Sequence, residues 1–270
     1  VQLAEKTAKA VTGSVEEWTG FLQSAARLYK YSYPEQLLIY AQRPDATACA
    51  SYEIWNQTMR RYVRRGAKGI ALLDGAGAVR YVFDVADTGA RKSSREVKTW
   101  ALDENNREVV ARALETQYGS AAKLGIAGQL EEIAMQQSMD YWQWHQDELR
   151  GIVDGSFLEG YDELNLEIAF RNTAAASVKY MLLSRCNLAQ EYRLEPEELA
   201  GVLEWNTPAA SGALGSAISE MGEGVLRQIE RTIRQYERSQ NHDERTDVHE
   251  ERRVLDSRPD SSRTADGAEQ

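Results

Sequence analysis

The stretch Arg60-Arg61-Tyr62-Val63-Arg64-Arg65-Gly66-Ala67-Lys68-Gly69-Ile70-Ala71-Leu72-Leu73 decides how the chain is read, because here the side-chain period changes to two. Arg60, Tyr62 and Arg64 fall on one face of an expected strand, with Arg61, Val63 and Arg65 on the other. Gly66-Ala67-Lys68-Gly69 supplies a turn with Lys68 at its tip, and Ile70 to Leu73 a second strand. Asp74-Gly75-Ala76-Gly77 is a further turn, and Val79 to Val85 a third strand that aligns Val79, Tyr81, Phe83 and Val85. A small β-meander is expected.

Helices flank it on both sides. Ser14-Val15-Glu16-Glu17 reads as a capping box ahead of the apolar face Trp18, Phe21, Leu22 and Ala25. Pro34 is suited to open a second helix over Glu35 to Gln42, which Arg43-Pro44 ends, and Ser51 can cap a short helix carrying Tyr52, Ile54 and Trp55. Downstream, helices are predicted from Asp103 to Tyr118, closed by Gly119, and from Gln129 to Ile152. A second capping box, Ser156-Phe157-Leu158-Glu159, opens a run through Tyr161, Leu164, Ile168, Ala175, Val178 and Leu182. Pro196 starts a short acidic helix. Asn206-Thr207-Pro208 starts the last one, whose stripe Leu214, Ile218, Met221, Val225, Ile229 and Ile233 has the spacing of a core face.

The 270 residues, 42% hydrophobic and 27% charged, exclude a wholly disordered or collagenous chain, and no stretch has the roughly 20 apolar residues of a membrane span. The net charge of −10 is unevenly spread: +1 over residues 1–14, +4 over 15–100, −11 over 101–236 and −4 over 237–270. Charge and pattern together divide the chain into an N-terminal extension (1–14), a mildly basic mixed domain (15–100), an acidic helical domain (101–236) and a tail (237–270). The tail has two Val and one Leu as its only large apolar residues and is expected to be disordered. The fold class is therefore α+β, a small β-meander with helices followed by an all-helical domain. A cytoplasmic location is expected, and an opening Val with a polar close suggests a piece of a longer protein.

Catalytic spacings are absent. There is no phosphate-cradling G-x-x-x-x-G-K-[ST] loop and no nucleophile elbow, and Gly75-Ala76-Gly77 lacks the third glycine of a dinucleotide loop. His242 and His249 lie in the tail, leaving His145, so no imidazole pair is available to hold zinc, and Cys49 and Cys186 are distant. No enzymatic activity, metal or cofactor is expected. Tyr141, Trp144 and His145 are spaced to line one packed helix face. Gly212, Gly215, Gly222 and Gly224 suggest close helix packing or a frayed helix start rather than a phosphate site.

What stands out is the basic cluster. Arg60, Arg61, Arg64, Arg65 and Lys68 surround Tyr62, with Trp55 just upstream. Cations displace counterions from phosphates, and single strands also need aromatic faces for their exposed bases. An edge strand that carries cations to block aggregation would have the same composition, so composition leaves both readings open.

A resemblance adds to this. Trp18, the run Tyr31-Ser32-Tyr33-Pro34-Glu35-Gln36-Leu37-Leu38-Ile39-Tyr40-Ala41-Gln42-Arg43-Pro44-Asp45-Ala46-Thr47, the pair Trp55-Asn56, and Val63-Arg64-Arg65-Gly66-Ala67-Lys68-Gly69-Ile70 resemble, in order and spacing, the N-terminal domain of ArdC-type antirestriction proteins. The chain is also similar to the amino-terminal regions of large helicase-like and methylase-like proteins of Firmicutes conjugative elements. That similarity extends through Asp162-Glu163-Leu164-Asn165-Leu166, Ser177 to Cys186, and Trp205-Asn206-Thr207-Pro208. The resemblance implies single-stranded DNA binding without base specificity in the service of a mobile element, protecting transferred DNA or handing it over to the conjugative or replication machinery. Arg43, Arg60, Arg61, Arg64, Arg65 and Lys68 would then contact phosphates, with Tyr62 and Trp55 as stacking faces. The family's metalloprotease activity is not carried over, since the acidic region lacks its histidine pair. Another class of function is a direct protein inhibitor of a host defence nuclease, in which the acidic helical segment imitates DNA.

Overall fold

A computed structural model describes residues 2–74, 77–189 and 196–256, with Pro196 and residues 241–256 by backbone alone. Three helices come first: α1 (Gln2–Val11), α2 (Val15–Arg27) and α3 (Tyr33–Gln42). Ser14 Oγ accepts from the Glu17 amide at 3.2 Å, which starts α2 where its capping signal predicted. Glu35 reaches back to the Ser32 amide at 3.1 Å and so fixes the entry to α3 ahead of Pro34. α1 falls in the segment read as an extension, yet Ala8 and Val11 are buried in the main core.

The strands are β1 (Cys49–Ser51), β2 (Tyr62–Val63), β3 (Ile70–Leu73), β4 (Val79–Asp84) and β5 (Thr88–Gly89). They form two antiparallel sheets, one in the order β1-β4-β3 and the other the pair β2-β5. The expected meander is thus corrected: β2 does not lie beside β3. Arg60 adopts a left-handed conformation (φ 53°) and turns the chain away, and the Arg64 amide donates to Asp87 O at 2.9 Å, which commits this segment to β5. A turn follows in which the Ala67 amide donates to Arg64 O at 3.1 Å over Gly66 (φ 85°), so Lys68 lies beyond the tip. Gly75 and Ala76 of the next expected turn lie outside the described residues.

The inner face of the larger sheet packs Ile70, Leu72 and Val82 on Leu28, Leu38, Ile39 and Ala46. The face aligned from the sequence, Val79, Tyr81 and Phe83, is the outer one; Val79 is 58% and Tyr81 57% exposed, and Phe83 is half-buried. Gln42 extends its amide to the backbone of Ala71, donating to its carbonyl at 2.9 Å and accepting from its N–H at 3.0 Å, which blunts the free edge of β3. Asp84 is buried and accepts from the amides of Thr47, Ala48 and Ala86 at 2.7–3.0 Å, pinning the end of β4.

The helical part contains α4 (Arg107–Tyr118), α5 (Gly125–Gly151), α6 (Glu163–Arg185), the short α7 (Pro196–Leu199) and α8 (Pro208–Asp256). Gly119 closes α4 in the left-handed region, φ 74°. The expected capping box at Ser156 does not start α6; Asp162 does, its carboxylate accepting from the Asn165 amide at 2.8 Å, while Ser156 turns back to Val153 O. Gly215 and Gly222 are sites of close packing, since a Cβ there would meet the Tyr33 ring and the Met181 side chain. Trp144 is 82% exposed rather than packed; the buried aromatic of that run is Trp142, and Tyr141 stacks on His145 and Phe170.

One core joins most of this. Trp18, Phe21, Leu22, Tyr29, Tyr33 and Leu37 belong to the same buried cluster as Phe170, Met181, Leu214 and Ile229. Trp18 Nε1 donates to Ser177 Oγ at 3.0 Å. Glu230 of α8 accepts from the Tyr29 hydroxyl, Lys30 Nζ and Arg234 Nε. Trp100 donates to the Tyr29 hydroxyl at 3.0 Å and lies under the Arg185 guanidinium, 3.5 Å from its ring centroid.

α8 continues to Asp256, into the segment expected to be disordered; no Gly or Pro interrupts the chain from Val225 to Arg258, so nothing local ends the helix. Residues 257–270 of the expected tail lie outside the described ones. Cys49 and Cys186 are free thiols, and burial pushes both up to about 12. Among the described residues no helix is long and apolar enough to cross a membrane, and no cluster of three metal-ligating side chains is formed.

Candidate nucleic-acid interface

The β2-β5 ladder organises the basic residues. Tyr62 pairs with Gly89, and its ring covers the space a side chain at 89 would occupy; the Arg91 guanidinium lies over the same ring, 5.5 Å from its centroid. Ser94 Oγ donates to Arg60 O at 2.6 Å, and the Arg95 amide donates to Met59 O at 2.9 Å. These bonds lay the loop 90–95 along the segment that precedes β2. Arg91, Lys92 and Arg95 thereby join Arg60, Arg61, Arg64, Arg65 and Lys68 around one small ladder.

Each predicted residue now has a place. The side chains of Arg60, Arg65 and Lys68 are exposed and have no partner among the described residues, as are those of Lys92 and Arg95. Arg64 is exposed and donates one long bond, 3.3 Å, to Ala86 O, whereas Arg61 is half-buried and donates through Nε to Thr88 Oγ1 at 2.8 Å. Tyr62 is exposed at its edge, with its ring held between Gly89 and Arg91.

Two of the predicted contacts are corrected. Trp55 is 2% exposed inside a π-helical turn (Ile54–Thr58) and donates through Nε1 to Phe83 O at 2.8 Å, so it offers no face for stacking. Arg43 is engaged with Asp87 and lies 3.7 Å from Asp45, which ties its guanidinium to the β4–β5 connection rather than leaving it for a phosphate.

Two features were missed. The loop cations are a run in the sequence, Arg91-Lys92-Ser93-Ser94-Arg95, and that run was the available signal. The other is the outer face of β4. There Tyr81 and the half-buried Phe83 face Gly69, where a Cβ would lie 3.0–3.2 Å from both rings, so the glycine leaves these aromatics unobstructed directly after Lys68. Tyr52, also exposed, lines the same hollow with Glu53.

The arrangement supplies exposed cations around a two-stranded ladder, with the exposed Tyr81 ring next to Gly69. It has no nucleophile paired with a base. No family model, no curated protein and no solved structure matches the chain.

Proposed function

We propose that the protein binds single-stranded DNA without base specificity and that, in a mobile element, it shields such DNA or hands it over. The observation that carries this reading is the joining of two separate cation runs by the β2-β5 ladder and the Ser94–Arg60 bond. Phosphates would meet Arg60, Arg64, Arg65, Lys68, Lys92 and Arg95, and bases would meet Tyr62 and the outer aromatics Tyr81 and Phe83. A solvated edge strand needs cations only on the edge itself; it does not require a second basic loop bonded alongside, nor an exposed ring on the adjoining sheet. The left-handed Arg60 and the π-helical turn before it are also of the kinds that collect at functional sites.

Affinity measured against salt tests the proposal. Replacing Arg64, Arg65 and Lys68 together by Gln should flatten the slope of log affinity against log salt by about two units, since each single-strand phosphate contact contributes about 0.7. Replacing Arg91, Lys92 and Arg95 should flatten it by about 1.4 units, since two of the three meet phosphates. Tyr81→Ala should weaken binding by about 1–3 kcal/mol with the slope retained. Both triple variants folding normally and binding with unchanged affinity and slope would remove the site.

A further inference from the structure

Another hollow lies in the acidic helical part. α6 forms its floor with the exposed Asn165, Ile168 and Asn172, the half-buried Ala169 and Ala175, and the buried Ala176. α5 forms one wall with Glu131 and Met135. The segment 197–204 forms the other; it is fixed where Glu198 meets Lys179, where Gly201 abuts Thr173 and where Tyr161 donates to Glu204 at 3.2 Å. The hollow holds about 800 Å³. From Asp162 to Lys179 the floor runs about 25 Å at the helical rise, which matches four to five turns of another helix.

Its chemistry is divided by position. Met135, 56% exposed, and Ile168, 46% exposed, both line the groove and offer it apolar surface. Ala169, Ala175 and Ala176 between them keep the floor low, which allows a helix axis to approach closely. The rim carries Glu131, Asp162, Glu197, Glu198 and Glu204 against the single cation Lys179, a net charge of −4. Lys179 is already committed to Glu131 at 2.6 Å and to Glu198 at 3.4 Å.

We infer that this groove is a docking site for an amphipathic helix of a partner protein, one that presents an apolar stripe flanked by Lys or Arg. Met135, Ile168 and the alanines take the stripe, the floor's Asn165 and Asn172 meet its polar border, and the carboxylate rim takes the flanking cations, the helix-in-groove mode of recognition. The adaptable thioether of Met135 suits a site whose occupant varies in shape. The rim charge repels nucleic acid, so this surface and the basic ladder serve different partners. It also differs from an imitation of DNA, which needs carboxylates standing free on a polar surface rather than around apolar side chains.

The test uses the full chain and a synthetic 16-residue helix with Leu along one face and Lys beside it, followed by fluorescence anisotropy. Saturable binding is expected, weakened at least tenfold by Met135→Lys with Ile168→Lys, and at least tenfold by Glu197→Lys with Glu204→Lys. The control pair Glu108→Lys with Glu115→Lys, exposed on α4 and outside the groove, changes the net charge equally and should leave affinity within twofold. Circular dichroism confirms folding; the substituted side chains are exposed except Glu204, which is half-buried. Equal weakening by the control and rim pairs would reduce the effect to overall charge and overturn the inference. So would unchanged binding in the groove variants, or absence of saturation. Concentration-dependent dimers abolished by Met135→Lys would make a second copy of this chain the occupant and overturn it equally.

Discussion

The two faces of α3 have different surroundings, and the contrast separates charge from packing. Towards the small sheet, Leu38 and Ile39 join a minor cluster with Ile70, Leu72 and Val82. Towards the helices, Tyr33 and Leu37 join the principal core with residues of α2, α6 and α8. The net charge changes sign near residue 100, yet Trp100 is buried between Tyr29 and Arg185 at the centre of that core. Charge is a property of surfaces, and it marks which partners each surface attracts; cohesion follows the buried side chains, and these cross the charge boundary.

The largest expected effect tests that crossing. Trp18→Ala removes a fully buried ring and its bond to Ser177, and should cost about 3–5 kcal/mol. The melting transition should remain single while its midpoint falls. A calorimetric trace in which the helical part keeps its own unshifted transition would break the comparison.

Glu230 sharpens it. Burial alone would raise its pKa, but hydrogen bonds from Lys30, Tyr29 and Arg234 prevail and hold the carboxyl at about 2. A carboxyl held below its ordinary value of 4.5 stabilises the fold above that pH, and the contribution is lost as pH falls from 4.5 through 2. Glu230→Gln should therefore lose about 2–3 kcal/mol at neutral pH and show a flatter fall in stability across that window. An acid-unfolding curve of the variant parallel to the original would separate α8 from the Tyr29 end of α2.

A pair of glycine substitutions has the smallest effects and opposite signs. Gly215→Ala places a methyl against the Tyr33 ring and should cost about 1–3 kcal/mol. Gly224→Ala meets nothing within 4 Å in mid-helix and should gain about 0.5–1 kcal/mol. Urea titration of both resolves the difference; equal signs would mean that α3 does not press on α8 as described.

Much of the helical architecture was legible, because Ser14, Pro34, Gly119, Pro196 and Pro208 act through local geometry that needs no distant partner. α1 was overlooked although Thr7, Ala8 and Val11 have helical spacing; its mixed surface gave it no separate identity. The partner of β2 was not legible, since the left-handed turn at Arg60 is one that arginine does not signal. Trp55 illustrates the limit at the site. A tryptophan beside arginines reads alike as platform or as core until the carbonyl of Phe83 is found under its indole N–H. Several residues of the quoted motif likewise serve the fold: Gln42 seals β3, Ala46 is buried, and Arg27 holds the carbonyls of Pro44 and Ala46 at 2.8–2.9 Å.

Leu37 and Leu38, joined by a single peptide bond, lie in different cores. Any exchange of genetic material at the charge boundary would carry α3 away from the hollow that Gly215 leaves for Tyr33, stranding an aromatic ring on one recombinant and a void in the other. The unit that must be kept intact therefore extends across that boundary, since a cut there separates α3 from the helical residues its Tyr33 and Leu37 pack with.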